Sequence, residues 1–98
     1  MDGRRPMASN FHIYNYKTKG SLHLKLAGDF DGSSAHELIN TLLENDKDYY
    51  QIFIDTNDLK TIYPFGKEVL EKKIGGIVKQ FNNLIFIGEN AHELSMNY

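Results

Sequence analysis

Polar and large apolar side chains alternate at the start of the chain, then give way to continuous apolar runs. In Phe11-His12-Ile13-Tyr14-Asn15-Tyr16, Phe11 and Ile13 fall on one side and His12, Tyr14 and Tyr16 on the other. Over 22–28, Leu22, Leu24 and Leu26 share a side against His23 and Lys25. A period of two belongs to a strand with one buried face. Residues 17–21 lie between the two patterns and hold Gly20, so they predict a turn joining an antiparallel hairpin.

The stretch 28–34, Gly-Asp-Phe-Asp-Gly-Ser-Ser, predicts a tight loop. Ser34 precedes Glu37 by the capping-box spacing, which predicts a helix over 35–44 with Ser34 as its cap. Ala35, Leu38, Ile39, Leu42 and Leu43 form its apolar stripe. Ile52-Phe53-Ile54 is uninterrupted, so 50–54 reads as a strand covered on both faces. Thr56-Asn57-Asp58 then predicts a polar turn, and a short apolar patch at 59–62 leads to Tyr63-Pro64-Phe65-Gly66. Pro64 biases Tyr63 toward extended geometry.

From Phe65 a second helix is predicted, with Val69, Leu70, Ile74, Ile77, Val78 and Phe81 inward and Glu68–Lys72 as an i,i+4 pair. Gly75-Gly76 weakens it by about 1 kcal/mol per glycine relative to alanine. Either the helix ends there, or the glycines admit close packing on the sheet. Asn82-Asn83 predicts a turn. Residues 84–87, Leu-Ile-Phe-Ile, read as another doubly covered strand ending at Gly88. Asn90 and Glu93 are spaced to cap a last helix over 91–96.

The order is β-β-α-β-α-β-α. It predicts an α/β domain with a small mixed, mostly parallel four-stranded sheet and right-handed crossovers. Sites in such sheets gather beyond the carboxyl ends of the strands, which here means 50–66. Residues 1–10 are polar and broken by Gly3 and Pro6, so they read as a disordered N-terminal tail before a single domain over 11–98.

Composition narrows the function. Of 98 residues 41% are hydrophobic and 24% charged, as in ordinary globular domains, and the net charge of -2 carries no basic stripe for nucleic acid. The lack of cysteine excludes disulfides, thiolate metal sites and cysteine nucleophiles. No apolar run has the length of a membrane helix, and Arg4-Arg5 has no apolar segment of a signal peptide behind it, so the expected location is the cytoplasm. No nucleophile elbow, P-loop or dinucleotide fingerprint is present, so no enzymatic activity is expected.

Candidate chemistry is sparse. Asp29, Asp31, Asp55 and Asp58 lie at predicted strand ends, but a divalent cation needs about three converging carboxylates, and turn aspartates commonly bond their own backbone. The histidines, His12, His23, His36 and His92, lack zinc-ligand spacing, although His12 and His23 are candidate cross-strand neighbours. Ser33 and Ser34 precede a helix, where capping explains them without a phosphate. No metal or cofactor is therefore expected. Tyr63-Pro64-Phe65 has two readings: an aromatic hot spot for a partner, or core residues turned under the helix.

Residues 24–38, Leu-Lys-Leu-Ala-Gly-Asp-Phe-Asp-Gly-Ser-Ser-Ala-His-Glu-Leu, resemble the second strand, loop and first helix of STAS domains, the fold of bacterial anti-sigma factor antagonists. Ile52-Phe53-Ile54-Asp55, with Asp58-Leu59-Lys60-Thr61-Ile62 and Gly66, resembles that family's central strand and phosphorylation loop. The resemblance covers about 11–94. It implies a protein-interaction module whose partner is an anti-sigma factor or a kinase-like regulator, while the charge and the lack of a long apolar run lead us to expect no nucleic acid and no membrane. The resemblance also implies a partner-binding surface drawn from Asp31, Ser33, Ser34, Ile62, Tyr63, Pro64, Phe65 and Gly66.

Switching members of the family carry Asp-Ser-x-Gly, whose hydroxyl is phosphorylated. Here those positions fall on Tyr63, Pro64 and Gly66, and Pro64 has no hydroxyl to modify. The alternative reading is a domain that binds a small molecule, lipid or nucleotide, at the sheet ends. A weak homodimer through the edge hairpin is also open.

Overall fold

The computed structural model describes residues 10–45, 49–78 and 84–95. Its elements are β1 (His12–Thr18), β2 (Ser21–Phe30), α1 (Gly32–Glu44), β3 (Gln51–Ile62), α2 (Pro64–Ile77), β4 (Leu84–Ile87) and α3 (Ala91–Ser95). The sheet order is β1-β2-β3-β4. β1 pairs antiparallel with β2, and β2-β3 and β3-β4 pair parallel. This is the mixed, mostly parallel α/β sheet that the hydrophobic pattern predicts.

The period-two pattern sets the register. Leu22, Leu24, Leu26 and Phe30 of β2 are fully buried beside Ile52 and Ile54 of β3. Ala35, Leu38, Ile39 and Leu42 of α1 and Leu70 and Ile74 of α2 join the same core. Phe11 closes one edge, its ring meeting Phe30 edge-on with centroids 5.9 Å apart. Leu94 seals α3 onto this core and is completely buried.

Four local expectations are corrected. Residues 28–30 belong to β2, and α1 begins at Gly32 with Asp31 as its cap in place of Ser34. The predicted polar turn at 56–58 lies inside β3, which runs twelve residues. The register with β2 slips between Lys25 and Ala27 and again between Gly28 and Asp29, so β3 takes up two extra residues as bulges. Thr56 stays buried in that strand because its hydroxyl donates to the Ile87 carbonyl (2.9 Å) and accepts from the Asn90 N–H (3.0 Å).

The glycines at 75 and 76 neither end α2 nor seat it on the sheet. The helix passes through both, and a Cβ at either position would meet nothing within 4 Å. Lastly, among the described residues β3 and β4 are not doubly covered. The outward residues of β3, such as Phe53 and Asp55, are half-exposed, and β4 is half-exposed to exposed along its length. Phe81, the turn at 82–83, and tail residues 1–9 lie outside the described residues. Asn10 is described, and its side chain bonds Asp29 through both its carbonyl and its amide.

Candidate functional site

Two helices start side by side where β2 and β3 end. Tyr63, the cap residue of α2, donates its N–H to the carbonyl of Phe30, the last residue of β2 (2.9 Å). Pro64 occupies the first turn of α2, where its missing N–H costs nothing and its fixed φ suits the helix.

Asp31 anchors the other start. Its Oδ1 accepts the Ser34 N–H and the Ser33 hydroxyl, both at 3.0 Å. The Ser34 Oγ lies 2.9 Å from the Asp29 carbonyl and 3.1 Å from the same Oδ1, so its single proton serves one or the other. Burial alone would push the Asp31 carboxyl up. The bonds from the Ser34 N–H and the two serine hydroxyls outweigh it and hold the group below the usual aspartate value.

Gly66 locks the two starts together. A Cβ there would lie 2.7–2.8 Å from the backbone of Asp31. Only glycine allows this approach between the α2 first turn and the α1 cap. One residue earlier, the Phe65 ring lies over Gly32, where a Cβ would meet ring carbons at 2.8–2.9 Å. Phe65 remains 67% exposed and Tyr63 46% exposed, with Pro64 exposed between them. The aromatic pair is therefore at the surface and not turned under the helix.

The eight residues singled out by the sequence divide by burial. Asp31, Ser34 and Gly66 are buried and hold the two helix starts in register. Ser33, Tyr63, Pro64 and Phe65 face solvent, and Ile62 is half-buried at the end of β3. Sequence reasoning missed Gly32, the seat of the Phe65 ring. Its sequence signal, a glycine after a cap-forming aspartate, is shared by many ordinary turns.

The aspartates do not converge. Asp29 is bonded by Asn10, Asp31 caps α1, Asp55 accepts the Asn57 N–H (3.0 Å), and Asp58 pairs with Lys25 (3.2 Å). Hydrogen bonding and charge from Asp58 raise the Lys25 pKa. Among the described residues no three His, Asp or Glu side chains are placed to hold a metal ion. His12 and His23 are not opposite each other: His12 faces Ala27, and His23 faces Tyr16 and stacks on Phe53 with centroids 4.7 Å apart. Beside the aromatic patch lies an open cleft of about 220 Å³ lined by Ile62, Pro64, Lys67, Glu68, Glu71 and Glu93.

A four-stranded β1-β2-β3-β4 sheet opened by a hairpin, with paired helix starts beyond its strand ends, is the STAS fold. An antisigma-factor antagonist STAS domain from Rhodobacter sphaeroides is similar over 89% of this chain and 97% of its own, with a TM-score of 0.66 and 12% identity. An anti-sigma factor antagonist from Mycobacterium paratuberculosis is similar over 88% of this chain and 74% of its own, with a TM-score of 0.61 and 15% identity. The protein Mglu contains a similar region, with a TM-score of 0.65 and 10% identity over 74% of this chain, which spans only 18% of Mglu. At these identities the likeness is one of fold. By sequence, no family model and no curated protein matches the chain. Among the described residues no helix is long and apolar enough to cross a membrane.

Proposed function

We propose that this chain is a non-catalytic protein-interaction module that binds a protein partner through Ser33, Tyr63, Pro64 and Phe65. The observation that carries this reading is Phe65, a large ring left 67% exposed yet seated against Gly32 at the junction of two helix starts. Exposed aromatics on a rigid base make interface hot spots, because their burial releases much apolar area at little ordering cost. The two similar structures are anti-sigma factor antagonists, which supports an anti-sigma factor as the partner class. A related kinase-like regulator and a cytoplasmic location rest on the sequence alone. Pro64 offers no hydroxyl at the phosphorylated position of the switching family members, so phosphorylation at that position does not govern binding: either binding is constitutive or the partner class has changed.

The neighbouring cleft does not favour a small-molecule site. Small-molecule pockets are mostly apolar cavities of roughly 300–1,000 Å³. This one is smaller, open, and lined by Lys67 and three glutamates.

The test is an affinity pull-down from native cell extract, comparing the wild-type chain with Tyr63→Ala/Phe65→Ala, read by mass spectrometry. A specific partner retained by the wild type and lost from the variant supports the interface. The same proteins on both baits would remove it.

A further inference from the structure

The second face of the sheet lies away from the aromatic patch. Parallel strands are almost always covered on both faces. Among the described residues, however, the core helices pack on one face only. Phe53, Ile85 and Ile87 therefore look outward from strands whose composition suits burial.

The registers arrange the outward side chains in lateral rows. One row crosses the sheet as Tyr16, His23, Phe53, Ile85. The next runs Tyr14, Lys25, Asp55, Ile87. Each row has a ring at the β1 end and an isoleucine at the β4 end. The first has stacked rings in its middle, and the second has opposite charges there.

That order is its own complement. A two-fold axis along the strands, midway between β2 and β3, turns each row onto its reverse. Tyr16 then meets the partner's Ile85, and His23 meets the partner's Phe53. In the next row Lys25 meets the partner's Asp55, and Asp55 the partner's Lys25. Every contact is ring on aliphatic, ring on ring, or cation on anion. We propose that this open face is the contact of a homodimer in which two sheets stack about that axis.

A two-fold contact must be self-complementary in this way, and aligned sheets stack about 10 Å apart at roughly −30°. Residues 1–9, MDGRRPMAS, are a poorer cover, since they carry two arginines and few apolar side chains. Size sets the strength. Four strands about 4.8 Å apart and about 20 Å long project roughly 400 Å². With side-chain relief each copy buries on the order of 600 Å², so the total lies at the small end of specific interfaces. The dimer is therefore weak, with a Kd on the order of tens of micromolar.

The test is sedimentation equilibrium of the full chain from about 10 μM to 1 mM at low salt, where charge contacts are least screened. The wild type should double in mass across that range. Lys25→Asp alone and Asp55→Lys alone should each weaken association at least about tenfold, because each sets like charges against each other across the axis. An equimolar mixture of the two should associate again. The Lys25–Asp58 pair (3.2 Å) lies within one chain and survives in Asp55→Lys. Neither variant has opposite charges at positions 25 and 55, however, so recovery in the mixture, absent from either variant alone, comes from contacts between chains. Thermal melts check that both variants are folded, and Phe53→Glu, which charges the centre of the apolar row, should be monomeric. A wild type that stays monomeric at 1 mM overturns the proposal and leaves the face to another protein or to residues 1–9. A dimer indifferent to the charge swaps also overturns it and moves the contact to the β1 edge.

Discussion

Replacing Gly66 by alanine should destabilise the protein, although alanine is the better helix former. Gly66 is the third residue of α2, and its missing Cβ leaves room for the backbone of Asp31. A methyl at 2.7–2.8 Å from those atoms is well inside van der Waals contact, and the neighbour is backbone that caps another helix. Overpacking of this kind costs about 1–3 kcal/mol. Helix propensity returns up to about 1 kcal/mol, less in a first turn. The net loss is about 1–2 kcal/mol, and for a domain of this size that lowers Tm by about 4–16 °C.

Gly75→Ala and Gly76→Ala supply the internal control. Both lie in the same helix, neither has a positive φ, and a Cβ at either meets nothing within 4 Å. Each should gain up to about 1 kcal/mol and raise Tm. Thermal and urea unfolding followed by circular dichroism would measure all three. If Gly66→Ala raised Tm as the other two do, the close approach of α2 to Asp31 would be wrong, and with it the fixed geometry of the aromatic patch.

Three further outcomes follow from the same contacts. Asp31 has a folded pKa below its unfolded value, so its stabilisation is present above the unfolded pKa, near 4, and is lost as pH falls through the folded pKa. Asp31→Ala should cost about 1–2 kcal/mol at neutral pH, and the gap from wild type should narrow on acid titration below about pH 4; an unchanged gap would refute the assignment. Thr56→Val strands the Asn90 N–H and the Ile87 carbonyl, which should cost about 1–3 kcal/mol and speed hydrogen exchange at Asn90. Leu94→Ala removes the buried anchor of α3 and should cost about 2–5 kcal/mol by denaturant unfolding; a loss under about 0.5 kcal/mol would mean that α3 does not seal the core.

The elements that could be read from the chain are those whose burial repeats locally. Leu22, Leu24 and Leu26 announce their face through period two, and Leu38, Ile39 and Leu42 through the helical period. What could not be read depends on distant partners. Thr56-Asn57-Asp58 looks like a turn because the groups that satisfy it, Ile87, Glu89 and Asn90, lie more than thirty residues away. Ser34 has the spacing of a cap, yet Asp31 takes that place because β2 continues to Phe30 and hands its carbonyl to Tyr63. The continuous run at 52–54 suggests two covers, whereas Phe53 finds its neighbour within the sheet, in the ring of His23. The place of the candidate site was legible from topology, since helix starts must follow strand ends. The exposure of Phe65 was not, because it depends on Gly32 in another helix.

The contacts that fix the two helix starts also bear on how a partner would be held. Tyr63 is tied through its N–H to Phe30, and Gly66 lies against Asp31, so Phe65 sits on backbone fixed from both sides. Gly32 then gives its ring a flat seat. Ordering a free side chain at an interface costs about 0.5–1.5 kcal/mol. A ring already seated forfeits less of that on binding. A phosphorylatable hydroxyl at position 64 would let charge at a helix N-terminus govern binding. Proline there removes that lever and stiffens the α2 first turn instead. In the proposed interface the same position thus gives up a switch for preorganisation, and the proposed dimerisation on the opposite face would set the amount of free monomer.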